Sequence, residues 1–245
     1  MIEVFWASGS PNSWRVLLGL ELKGLPYESR LIELGRAEQR TPSFLAMNPR
    51  GKVPVLKDDD YIVYESVAIL AYLDRKYDQG TKLFGDGPEA LGKVWQQVSE
   101  WTSYVEPAIL EFARPIFYGR AAEQAPRLRE IVDFLMVEYG VLESRLTLDE
   151  WIVGDTPTAA ECLVYPTTQY LLRAARKDDA RALDLGLLPF EERFPAVARW
   201  MRSVESLPGY ERTYPPHWRP APILPSPPVT IPDPVVLVPD PPPAE

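Results

Sequence analysis

A proline at the entrance of a strand narrows the folds open to this chain more than any other feature. It is the Val53-Pro54 step in the run Asn48-Pro-Arg-Gly-Lys-Val53-Pro54-Val-Leu. Proline cannot donate to a sheet ladder. The position makes sense where the Val53-Pro54 peptide is cis and the preceding backbone is left to pair with something else. Eleven residues past Pro54, Glu65-Ser66 opens the apolar run Val67-Ala-Ile-Leu-Ala-Tyr-Leu. The first N–H groups of a helix have no partner within it and make an anion site. A free extended backbone beside such a helix start predicts a site for a small peptide. By itself, Glu65-Ser66 also reads as an ordinary helix start.

The segments around this pair alternate between strand and helix. Ile2 to Trp6 is a short strand pattern, and Ser13 to Lys23 is an apolar-rich helix ending at Gly24. Tyr27 to Leu31 reads as a strand and Gln39 to Met47 as a short helix. Val53 to Lys57 and Tyr61 to Tyr64 form a hairpin across three aspartates, and Glu65 to Tyr77 is a helix. The order β-α-β-α-β-β-α resembles a thioredoxin-like domain, over residues 1–79.

From about Pro88 the strand signals stop. Ala90 to Glu111, Pro126 to Leu146, Thr158 to Ala175 and Pro195 to Ser206 carry helical spacing. Residues 88–214 are therefore expected to form an all-helical domain, which makes the fold class α+β. Thr158-Ala-Ala-Glu161 is a capping box. The last segment, 215–245, holds thirteen of the 27 prolines. That density forbids helix and central strand, and predicts an extended, partly polyproline II tail. The apolar run Ile231 to Val238 is expected to lie on a surface, and the tail to be dispensable for folding.

Composition removes several function classes. A net charge of −9 argues against nucleic acid or an anionic membrane as the main partner. No stretch approaches the roughly 20 apolar residues of a membrane span. The start, Met1-Ile-Glu-Val-Phe-Trp, lacks the pattern of a signal peptide, so the cytosol is the expected compartment. One cysteine, Cys162, excludes an internal disulfide and any cysteine-rich metal site. One histidine, His217, leaves no room for a histidine-based triad or zinc centre; no metal is expected. Cys162 reads as a small buried hydrophobe, and His217, beside Trp218, as solvated or packed.

Trp6-Ala-Ser8-Gly-Ser10-Pro-Asn-Ser13-Trp-Arg15-Val joins the first strand to the first helix. Ser10-Pro11 has a structural reading, a serine cap with proline at the first helical position. It also has a chemical one. A hydroxyl can accept from a helix amide and still donate its proton to a nearby thiolate. A thiol near pKa 8.5 is only a few per cent ionised at neutral pH. Lowering it by about two units takes roughly 2.7 kcal/mol. One hydrogen bond to an anion supplies about 1.5–3 kcal/mol, so no catalytic base is required.

Three patterns together resemble the soluble glutathione transferases. They are the Ser10 corner, Val53-Pro54 with Glu65-Ser66, and the run Gly154-Asp-x-Pro-Thr158-x-Ala-Glu161. The Ser10-Pro-Asn-Ser13-Trp-Arg-Val stretch is similar to the Ser-Ser-Cys-Ser-Trp-Arg-Val of the zeta class, the maleylacetoacetate isomerases. Ser10, Ser13, Trp14 and Arg15 match; Pro11 and Asn12 depart from it.

The resemblance implies a serine-type enzyme in which Ser10 stabilises the thiolate of glutathione, the co-substrate, for attack on a small electrophile. It implies that Ser66 holds the γ-glutamyl carboxylate, Glu65 the γ-glutamyl amine, and Val53, beside Pro54, the cysteinyl backbone. Ser13 joins this set. Gln39, Arg40 and Lys52 are candidates for the glycine carboxylate, each with a solvated surface role as the alternative. For the electrophile pocket the candidates are Trp6, Trp101, Tyr104 and Phe112, with Arg114 and Tyr118 at its rim; aromatics at helical spacing also read as core. A homodimer is implied as well. The alternatives are glutathione-dependent isomerisation, dehalogenation or thioether cleavage at the same site, or a non-catalytic binding protein of this fold.

Overall fold

The computed structural model describes residues 1–219; the tail from 220 onward, including the Ile231 to Val238 run, lies outside the described residues. A four-stranded sheet forms the first layer, in the order β2-β1-β3-β4. Its strands are β1 (Ile2–Trp6), β2 (Tyr27–Leu31), β3 (Val55–Asp58) and β4 (Tyr61–Tyr64). β1 pairs parallel with β2 and antiparallel with β3, which continues into the β3–β4 hairpin. Helices α1 (Pro11–Leu22), α2 (Pro42–Met47) and α3 (Ser66–Lys76) complete the domain. Ile2, Val4, Leu17, Leu20, Leu56, Ile69 and Leu73 close its core.

The expected helix from Gln39 is shorter. Thr41 caps α2 with its side chain and Pro42 takes the first helical position. Proline disfavours helical backbone in the residue before it. Gln39 and Arg40 therefore belong to a separate 3₁₀ turn, Glu38–Arg40.

The second layer is helical: α4 (Gly87–Glu100), α5 (Glu106–Phe117), α6 (Ala125–Leu148) and α7 (Ala159–Ala175), then α8 (Asp178–Arg181), α9 (Phe190–Arg193), α10 (Pro195–Glu205) and α11 (Tyr210–Thr213). A π-helical turn, Trp101–Val105, joins α4 to α5. α7 is buried along most of its length and is the axis of this domain. Its start is fixed by the capping box. Thr158 Oγ1 accepts from Ala160 N, and the Glu161 carboxylate accepts from Thr158 N and Ile152 N at 2.6 and 2.8 Å. Cys162, one residue on, is fully buried.

One apolar cluster spans both layers. Trp14, Leu18 and Leu70 pack with residues of α4 to α11. Trp14 Nε1 donates to Thr213 Oγ1 at 2.8 Å, tying α1 to α11. This contact sets the two layers against each other and leaves a cleft between them at the ends of α1, α3 and α5.

Candidate active site

The cleft encloses about 340 Å³. Lys52, Val53, Pro54, Glu65 and Ser66 line it, with Asn12 and Arg15 of α1, Asn48 and Arg50 before β3, and Thr102 and Glu106 near the start of α5. Five of the residues expected to bind a peptide thus meet in one place.

Local chemistry shapes the wall before β3. Asn48 is buried; its side-chain amide donates to Lys52 O at 2.7 Å and its carbonyl oxygen accepts from Arg50 N at 3.1 Å. Gly51 turns the chain at φ +58°, and a Cβ there would stand 2.9 Å from Arg40 Nη1 and from Gln39 O. The loop so held presents Lys52 and Val53 to the cleft. The Val53-Pro54 peptide is cis. The ladder begins only at Val55, so Val53 takes no part in it.

The opposite wall is the start of α3. Glu65 precedes it at φ +70°, a left-handed conformation that costs a non-glycine residue of the order of 1–3 kcal/mol. Ser66 follows, buried, with its hydroxyl accepting from Arg15 Nη1 at 3.3 Å. Arg15 is itself buried, and its Nη2 lies 2.7 Å from Glu106 Oε1. Its Nε has no protein partner among the described residues. The floor of the cleft is therefore a buried cation and carboxylate contributed by different layers, next to the unpaired amides of a helix start. Such a surface suits a ligand end that carries both a carboxylate and an ammonium group.

Ser10 caps α1: its Oγ accepts from Ser13 N at 3.3 Å, and Pro11 takes the first helical position. Ser10 is partly exposed and is not itself in the cleft lining, which Asn12 joins two residues on. Its hydroxyl proton is not used by the cap.

Two models of known families match the chain: the N-terminal glutathione S-transferase domain over residues 9–76 and the C-terminal glutathione S-transferase domain over 120–203. "Glutathione S-transferase F10" of Arabidopsis thaliana is 34% identical, across 70% of this chain and 82% of its own. The chain belongs to the glutathione S-transferase family. "Glutathione S-transferase A" of Pleuronectes platessa is 29% identical over 90% of this chain and 94% of its own. A glutathione S-transferase structure from the Antarctic clam Laternula elliptica superposes with a TM-score of 0.75 at 28% identity, covering 89% and 93% of the two chains. A Phanerochaete chrysosporium glutathione transferase, solved with oxidized glutathione, gives 0.72 at 25% identity over 86% and 92%.

Against this transferase fold, several expected site residues stand elsewhere. Ser13 is fully buried and its Oγ accepts from Ala7 N at 3.2 Å, so it braces the corner below the site. Arg40 reaches Arg50 O at 3.5 Å behind the loop, and neither it nor Gln39 lines the cleft. Of the aromatic pocket candidates, Trp6, Trp101 and Phe112 are core. Trp6 Nε1 donates to Ser29 Oγ and Trp101 Nε1 to Thr167 Oγ1, at 2.7 and 2.8 Å. Tyr104 faces solvent, 64% exposed, and lies outside the cleft lining. For Trp101 and Phe112, helical spacing marked the buried side, which is the commoner meaning of such spacing.

Arg15, Asn48 and Glu106 are functional candidates that sequence reasoning missed. Asn48 and Arg15 stand inside the two motifs that were read. Glu106 carries no local signal, because its partner is 91 positions away. The Cys162 thiol is pushed up by burial, then by the neighbouring Glu161, and is inert.

Proposed function

We propose that this chain is a serine-type glutathione transferase. It binds glutathione in the cleft between the layers and uses the Ser10 hydroxyl to hold the sulfur as a thiolate. The convergence of Lys52, Val53, Glu65 and Ser66 around one cleft with a buried Arg15 carries this reading.

Each part of the peptide has a matching group. The α3 amides and Ser66, with Arg15 behind them, suit the γ-glutamyl carboxylate. Glu65 and Glu106 suit its ammonium. Val53, outside the ladder, suits pairing with the cysteinyl backbone. Lys52, with Arg50 beside it, suits the glycine carboxylate. This anchoring supports a sulfur held toward the Ser10 corner. There the hydroxyl donates to sulfur, the thiol proton leaves to solvent, and the sulfur lone pair attacks the electrophile. The bond to the leaving group breaks with its electron pair.

The zeta-class likeness is weaker support. Ser13 and Trp14 of that motif are fixed by packing, and only Arg15 reaches the cleft. Exposed apolar residues support a homodimer: Leu91 and Trp95 on α4, and Phe134, Val137 and Val141 on α6. Among the described residues no helix is long and apolar enough to cross a membrane. A cytoplasmic setting follows from the need for reduced glutathione.

Turnover of a chloroaromatic with glutathione, beside a direct glutathione binding titration, tests the proposal. Binding with turnover supports it; binding without turnover favours a non-catalytic protein of this fold.

A further inference from the structure

The first residues of the proline-rich tail return to the corner that carries Ser10. A 3₁₀ turn, Pro216–Trp218, follows α11. His217 Nδ1 lies 2.5 Å from Ser8 Oγ. A Cβ built on Gly9 would stand 2.6 Å from His217 Cε1, 3.1 Å from its Nε2 and 3.0 Å from Trp218 Nε1. The imidazole and indole therefore rest directly on the Gly9 backbone, between Ser8 and Ser10.

This turn is held from several sides. Trp218 meets the Trp14 ring edge-on at 5.5 Å, and the Arg173 guanidinium sits 4.8 Å from the Trp218 ring centre. Arg219 Nη2 donates to Glu211 O and to its carboxylate, both at 2.8 Å. Trp14 belongs to α1, Arg173 to α7 and Glu211 to α11. The turn is thus fixed to three helices before it touches the Ser8–Gly9 loop. His217 is held below the usual histidine range by burial and then by the positive Arg173. A neutral ring can meet the Ser8 hydroxyl at Nδ1 in either tautomer, as acceptor with its proton on Nε2 or as donor with its proton on Nδ1.

We propose that His217 is a positioning and specificity residue for the transfer. With Trp218 it walls the Ser8–Gly9–Ser10 corner, and the Ser8 hydroxyl holds its imidazole in place there. The wall consists of two flat rings, with the Arg173 guanidinium over that of Trp218, which favours a planar, unsaturated electrophile over a branched aliphatic one. The inference rests on the reading of Ser10 as the thiolate's partner. It assigns the electrophile side of that corner, which the peptide cleft leaves open.

Steady-state kinetics of the full-length chain, with glutathione and either a chlorodinitrobenzene or a branched alkyl iodide, tests it. His217→Ala should raise KM for the chlorodinitrobenzene about tenfold, the loss of roughly one good contact. KM for glutathione, KM for the alkyl iodide and the melting temperature should stay near wild type. His217→Asn, which can still bond Ser8 from the Nδ1 position, should recover most of the loss. Ser8→Ala should shift the same constant in the same direction. Unchanged discrimination between the two electrophiles in His217→Ala overturns the proposal. So does a parallel rise in every KM with a falling melting temperature, the mark of a structural role. Undiminished turnover in Ser10→Ala would instead overturn the reading beneath it, whatever the His217 variants do.

Discussion

Arg15 of the sheet domain and Glu106 of the helical domain meet at 2.7 Å beneath the cleft, both side chains almost fully buried. The same arginine reaches the Ser66 hydroxyl at the start of α3. One side chain therefore joins the two layers and the anion-binding helix start.

Removing one partner of this pair should be costly, because the other charge stays buried. Arg15→Met is expected to lose about 3–5 kcal/mol of stability. The double variant Arg15→Met/Glu106→Leu should lose clearly less than the sum of the singles. Urea unfolding of the four proteins measures this, and additive losses would speak against a buried coupled pair.

A second buried carboxylate predicts a pH response. Burial pushes Asp58 up, but hydrogen bonds from Lys76, Tyr77 and Tyr72 outweigh it and hold the carboxyl below its usual value. The three donors lie at 2.7, 2.6 and 2.9 Å. A folded-state value below the unfolded one adds stability above about pH 4 and loses it as pH falls through the folded value. Asp58→Asn should cost about 2 kcal/mol at neutral pH and flatten the acid limb of the stability curve. Denaturant melts at pH 7 and pH 3 on both proteins check it.

The α7 start offers a cleaner structural test. Thr158→Ala removes a cap oxygen from Ala160 N and a donor to Glu161. It should lower stability by about 1–2 kcal/mol without altering KM for glutathione, since Thr158 is not among the residues lining the cleft. A changed KM would mean that the capping box reaches the site.

The peptide side of the site was legible in the sequence where chemistry is local. A proline at a strand entry and a polar pair opening an apolar helix are short-range signals, and both stand at the cleft. The capping box was equally plain. What crosses the chain was not legible. Glu106 follows a π-helical turn that leaves the apolar pattern of α4 and α5 nearly continuous, so Ala90 to Glu111 read as one helix. Trp101 and Phe112 looked like pocket residues because periodicity shows which face is buried, not what covers it. His217 read as solvated or packed, since nothing near it in sequence points to Ser8. The tail read as dispensable for folding, with Trp218 among the apolar residues expected to lie across the surface; Trp218 packs on Trp14, and Trp218→Ala should cost about 2 kcal/mol.

The central claim is that the Ser10 hydroxyl holds the glutathione thiolate, and the pH dependence of kcat/KM for Ser10→Ala tests it most directly. Loss of one hydrogen bond to the anion should raise the pKa of the bound thiol by about one to two units, with glutathione affinity nearly unchanged. A wild-type pH profile in Ser10→Ala, with the profile instead displaced in Ser8→Ala, would contradict the account.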